Sequence, residues 1–128
     1  MKKLGIAILL AVSLALVLLV TQAVAPVRWT GEVTVQSPSL VICGPLIFSH
    51  QLEPGDSAEI DICVENVTGG AVLVRFYATA DPDVSVWAAD GVYDHTLGPG
   101  VHHFPWGVTL AEGATTPQTW EILCDDAP

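Results

Sequence analysis

From Gly31 to the C-terminus, hydrophobic residues recur with a period of two, and turn residues break the pattern about every ten positions. The clearest case is Ala58-Glu59-Ile60-Asp61-Ile62-Cys63-Val64-Glu65. Ala58, Ile60, Ile62 and Val64 fall on one face, and Glu59, Asp61 and Glu65 on the other. Alternate side chains of a strand point the same way, so this segment has one buried and one wet face. Further strand-like runs are Glu32–Val35, Leu40–Ile42, Pro45–Leu52, Ala71–Thr79, Val84–Ala88, Val92–Leu97, Val101–Trp106, Val108–Leu110 and Thr119–Leu123. Turns at Ser37-Pro38-Ser39, Glu53-Pro54-Gly55-Asp56, Thr68-Gly69-Gly70, Asp81-Pro82-Asp83, Asp90-Gly91, Gly98-Pro99-Gly100 and Glu112-Gly113 separate them. No helical period follows residue 25. The pattern predicts an all-β domain of about eight short strands, an immunoglobulin-like (jelly-roll or Greek-key) antiparallel β-sandwich. Leu52–Ser57 and Leu110–Thr115 echo each other weakly, as expected at corresponding corners of a two-sheet fold.

The segment before this pattern is of another kind. Lys2 and Lys3 precede 24 uncharged residues, Leu4–Val27, with the small-residue run Ala23-Val24-Ala25 near their end. That order reads as an export signal, residues 1–25, cut after Ala25 or Ala23. A retained N-terminal hydrophobic helix is the alternative, since 24 residues reach about 36 Å at 1.5 Å each, enough to span a bilayer. Lys2-Lys3-Leu4-Gly5-Ile6 also resembles a type IV prepilin site, where Gly5 would end the leader. Residues 26–128 then form the β-sandwich, the commonest size for one domain.

Both lysines belong to the leader, so its removal takes the formal charge from −10 to −12, with Arg28 and Arg75 facing fourteen acidic residues. Such a surface cannot neutralise phosphates, which excludes nucleic acid as a partner. It also excludes electrostatic adhesion to anionic lipid, leaving residues 4–24, if retained, as the membrane contact.

Catalytic motifs are absent: there is no GxSxG, no HExxH and no protease-like cysteine signature, and the expectation is no enzyme and no cofactor. Four histidines permit a metal reading in which His95 and His103 face each other across the Gly98-Pro99-Gly100 turn, with Asp94 nearby. Carboxylate pairs at Asp81/Asp83, Asp90/Asp94 and Asp125/Asp126 lack the DxDxDG spacing of a calcium loop. Asn66-Val67-Thr68 is a glycosylation sequon on a predicted turn.

Three cysteines in an exported region permit disulfides. If Glu53-Pro54-Gly55 tips a hairpin, Cys43 and Cys63 fall at or near opposite positions, within bridging range. Cys124 is then unpaired or joins another subunit. The alternative is three buried free thiols. Of the four tryptophans, Trp87, Trp106 and Trp120 lie in strand-like runs and are expected in core or corner packing. Trp29 instead follows the leader directly, in Val27-Arg28-Trp29-Thr30-Gly31-Glu32-Val33-Thr34-Val35. An apolar strand at a free N-terminus either completes its own sheet or adds to the open groove of a neighbour.

Leu52-Glu53-Pro54-Gly55-Asp56-Ser57, the strand Ile60–Asn66, Gly69-Gly70 and the strand Val72–Ala78 together resemble the TasA/camelysin group of secreted prokaryotic β-sandwich proteins and archaeal donor-strand pilus subunits. The resemblance spans Phe48 to Thr79. It implies an extracellular, cell-surface filament subunit that polymerises with copies of itself, with Trp29, Val33 and Val35 on the donated strand. The competing expectations are a membrane-anchored envelope interaction domain, a type IV pilin-like subunit keeping the hydrophobic helix, and a small metal-binding domain.

Overall fold

The computed structural model describes residues 25–128. Nine strands follow in chain order: β1 Val27–Val35, β2 Leu40–Ile42, β3 Ile47–Leu52, β4 Ser57–Asn66, β5 Val72–Ala80, β6 Val84–Ala88, β7 Asp94–Leu97, β8 Gly100–Leu110 and β9 Gln118–Asp126. Odd-numbered strands build a five-stranded sheet in the order β3-β1-β9-β5-β7, and even-numbered strands a four-stranded sheet in the order β2-β4-β8-β6. Every connection therefore crosses from one sheet to the other. The all-β, two-sheet prediction holds among the described residues. The expected N-terminal helix lies outside them, and within them no helix is long and apolar enough to cross a membrane.

The period-two reading set the faces correctly. In β4, Ile60, Ile62 and Val64 are buried, and from β8 they meet Phe104, Trp106 and Val108 in the same core. β9 adds Trp120, Ile122 and Cys124, and β5 adds Val74 and Phe76. The interior is aromatic-rich: Phe76 lies 4.9 Å from Phe104 and 5.8 Å from Trp106, ring centre to ring centre.

Four expectations need correction. The sandwich is not wholly antiparallel, because β1 runs parallel to β9, with Trp29 opposite Gln118 and Val35 opposite Cys124. Glu53–Asp56 is not a hairpin tip: β3 pairs with β1, while β4 pairs with β2 and β8. Val101–Trp106 and Val108–Leu110 are one strand, β8, which runs through Gly107. Gly107 keeps the outer face flat so that the Trp87 ring can lie on it, and a Cβ there would run into that ring. Trp87 is thus on the outer face, 40% exposed, and not in the core or corner packing that its strand-like context implied. Its indole N–H donates to Thr109 Oγ1 at 3.3 Å.

The two echoing loops do occupy corresponding corners. The Gly55 N–H donates to the Leu110 carbonyl at 2.9 Å, and the Leu110 N–H to Asp56 at 3.1 Å. Two crossings between the sheets are clasped together at this end of the sandwich.

Candidate functional site

β1 enters the five-stranded sheet as its second strand, antiparallel to β3 from Val27 to Glu32 and parallel to β9 from Trp29 to Val35. Its alternation turns Val27, Trp29, Gly31 and Val33 inward, and Arg28, Glu32 and Thr34 outward. Trp29 is fully buried, 5.7 Å from Trp120 and 5.3 Å from His50. Phe48 closes the group at 6.1 Å from Trp120. Gly31 lies directly under the Trp120 ring, where any Cβ would collide with the indole. The sequence therefore places a glycine at the one inward position of β1 over which its neighbour's largest side chain must pass.

Two features mark this part of the core as incompletely satisfied. The indole N–H groups of Trp29 and Trp120 are both buried without a hydrogen-bond partner. A buried unpaired donor costs about 1–3 kcal/mol. The β3 side of β1 is also open at its C-terminal end: the last backbone bond there is Val33 N–H to Leu46 O, 2.8 Å. Beyond it a groove of about 440 Å³ is lined by Val33, Val35, Leu40, Ile42 and Leu46. Leu46 and Ile47, at the start of β3, are 53% and 66% exposed. The described chain thus places Trp29, Val33 and Val35 in cis, in its own sheet.

The Cys43–Cys63 disulfide is formed, with Cα atoms 5.0 Å apart. Its pairing follows from β2 and not from the presumed hairpin. β2 lies antiparallel to β4 with Leu40 opposite Asn66 and Ile42 opposite Val64, so Cys43 arrives beside Cys63, whose carbonyl its N–H meets at 3.0 Å. The closed loop contains all of β3. Cys124 is a free, fully buried thiol, and burial pushes its pKa up to about 12.

Asn66 is a buried structural residue at the end of β4. Its Nδ2 donates to Gly70 O (2.8 Å) and Leu97 O (2.9 Å), and its Oδ1 accepts from the backbone and side chain of Thr68. Both amide hydrogens of the sequon nitrogen are engaged inside the fold. The sequence carried the sequon but not this burial.

The structure does not bring His95 and His103 together, because β7 and β8 lie in different sheets. His95 packs on Phe76 and Phe104, while His103 Nδ1 contacts Asp61 Oδ2 at 2.7 Å on the outer face of the four-stranded sheet. Asp94 is held by Arg75 through two hydrogen bonds of 2.6 and 3.0 Å, which lower its carboxyl below the usual range. Asp81 caps Thr119, accepting from its N–H and hydroxyl. Among the described residues no three His, Cys, Asp or Glu side chains are grouped to hold a metal ion.

No family model matches the chain, and no curated protein does. Among solved structures, it is similar to a FixG-related protein from Vibrio parahaemolyticus, at 16% identity over 59% of this chain and 84% of that one, with a TM-score of 0.41. It is also similar to the ASH/PapD-like domain of human CEP192 (PapD-like domain 7), at 12% identity over 81% of this chain and 87% of that one, with a TM-score of 0.36. Neither likeness bears on what the chain does.

Proposed function

We propose that this chain is a non-catalytic subunit of an extracellular filament, an immunoglobulin-like sandwich exported through residues 1–25 that joins copies of itself by exchanging β1. Two sheets of four and five strands in about a hundred residues support the immunoglobulin-like reading. A disulfide suits an oxidising compartment outside the cytoplasm.

One observation carries the exchange reading. One wall of the groove that holds β1 is secured independently of it, and the other is tethered to the body by a covalent loop. β9 is paired with β5 over seven positions, Val74–Ala80 against Asp126–Trp120, whereas β3 is the sheet's edge strand, pairs with β1 alone and is kept near by the Cys43–Cys63 loop that contains it. β1 itself is held by strand pairing, side-chain packing and the hydrogen bond from Arg28 to Ser49. A strand whose contacts are all non-covalent, between a fixed wall and one that is tethered close by, can be swapped for the same strand of another copy. The swap replaces the strand pairing and core burial it breaks with equivalent pairing and burial in the neighbour.

Electron microscopy of the protein from Pro26 to Pro128 is expected to show fibres. Protein beginning at Gln36 should give single particles that bind a synthetic peptide of residues 26–35. Fibres from the shortened protein would contradict the proposal.

A further inference from the structure

The connection after β1 limits how exchange can proceed. Val35 is joined to Leu40 of the opposite sheet by Gln36–Ser39 alone. Fully extended, that link spans at most about 17 Å, whereas β1 is about 27 Å long. Suppose β1 entered a second copy in its present direction, parallel to β9. Its Val35 end would then draw the same ends of the two bodies together. The donor's vacated groove would lie beside the acceptor's own departing strand, and exchange would close on a two-fold pair. A head-to-tail fibre needs the link at the opposite end of the acceptor groove.

Building on the exchange reading above, we propose that β1 enters its neighbour reversed, antiparallel to β9 and parallel to β3, with Gly31 still beneath Trp120. Gly31 is the midpoint of Val27–Val35, so turning the strand end for end keeps the one residue that fits under that indole where it is required. Reversal about Gly31 also preserves both ladders. β1 now pairs with β3 through residues 27–32 and with β9 through 29–35; reversed, it would pair with β3 through 30–35 and with β9 through 27–33. The strand already has one parallel and one antiparallel neighbour, so reversal only exchanges which is which. Inward positions stay inward because the period is two. Trp29 and Val33 trade places, and the indole then points toward the groove of about 440 Å³ that borders Val33 and Leu46. The space left beside His50 lies at the end where the neighbour's link and body arrive.

Native Cys124 reads the direction. Val35 is its present partner across β1 and β9, while the reversed register puts residue 27 opposite it. Fibres of Val27→Cys protein and of Val35→Cys protein, assembled and then oxidised, are run on a denaturing gel without reductant. The expected result is a ladder of covalent multimers from Val27→Cys and none from Val35→Cys. Covalent dimers or multimers from Val35→Cys, with none from Val27→Cys, would overturn the reversal and leave exchange standing. Fibres with no intermolecular bridge in either variant would overturn both. Should a buried substitution prevent assembly, Thr30→Cys with Glu121→Cys tests the same register on the outer face. A ladder supports reversal, and fibres without one overturn it.

Discussion

The region around Asn66 and the region around Trp29 are both buried ends of strands, yet they are finished differently. Asn66 sits where β2, β4 and the loops after β4 and β7 converge, and every polar group on its side chain is paired. A disulfide stands three residues away along β4, at Cys63. Trp29 is more deeply buried still, but it and its neighbour Trp120 each keep an unpaired indole N–H, and the edge beside Val35 is open. Burying apolar area at roughly 25 cal/mol per Å² holds a strand in place without fixing which copy supplies it. Paired polar networks and covalent bridges fix it to one chain. The first region is thus fixed to one chain, and the second is held by packing and strand pairing alone, as the proposed exchange requires.

The sharpest way to break that contrast is at Gly31. Replacing Gly31 with Val drives a side chain into Trp120 and expels β1 from its seat. The loss of Trp29 and Val33 burial is expected to cost about 4 kcal/mol or more in urea unfolding. Fibres should vanish with it, whichever way the strand runs. Gly69→Ala, where a Cβ meets nothing within 4 Å, is the control and should change neither.

Removing the braced side comes next. Cys43→Ala with Cys63→Ala opens a loop of 20 residues, and about 3 kcal/mol of stability should go with it. Chemical denaturation with and without reductant measures this. Hydrogen exchange should show β3 loosening before β4, because β3 lies inside the loop and on the sheet edge. Asn66→Ala should cost about 2 kcal/mol by leaving buried carbonyls unpaired. The intact mass of the native domain is expected to match the unglycosylated chain at this residue.

The last effect, absent at neutral pH, is a pH dependence at Cys124. Its thiol is raised from 9 to about 12 in the folded protein, mainly by burial. The folded state therefore keeps the proton after the unfolded chain has released it. This contribution to stability is complete below pH 9 and is lost as the pH rises toward 12. Cys124→Ala should flatten the melting temperature over that window. In the native protein, Ellman's reagent at pH 8 should find no reactive thiol until the chain unfolds.

How much was legible beforehand follows from what a period can encode. Alternation assigns faces, so Ile60, Ile62 and Val64 and the strand limits of β2 and β6 could be read directly. It carries no information on which strands are neighbours. The hairpin at Glu53–Asp56, the His95–His103 pair and the all-antiparallel order were all inferred from adjacency in sequence. Each failed because every connection in this fold changes sheet. The disulfide survived because β2 and β4 happen to share the register the supposed hairpin implied. Trp87 was missed because its exposure depends on Gly107, twenty residues away and on another strand. Gly31 could have been flagged: a glycine in the middle of an alternating apolar strand marks a close approach.

The proposed exchange of β1 is tested most directly by locking it at home. Val35 and Cys124 are opposite residues of β1 and β9, both facing the interior, so Val35→Cys can form a disulfide with Cys124 within one chain. Monomers oxidised before assembly should stay single particles by electron microscopy, and selective reduction of that bridge should restore fibres. Fibres growing from the oxidised, internally bridged monomer at the wild-type rate would show that β1 never leaves its own sheet.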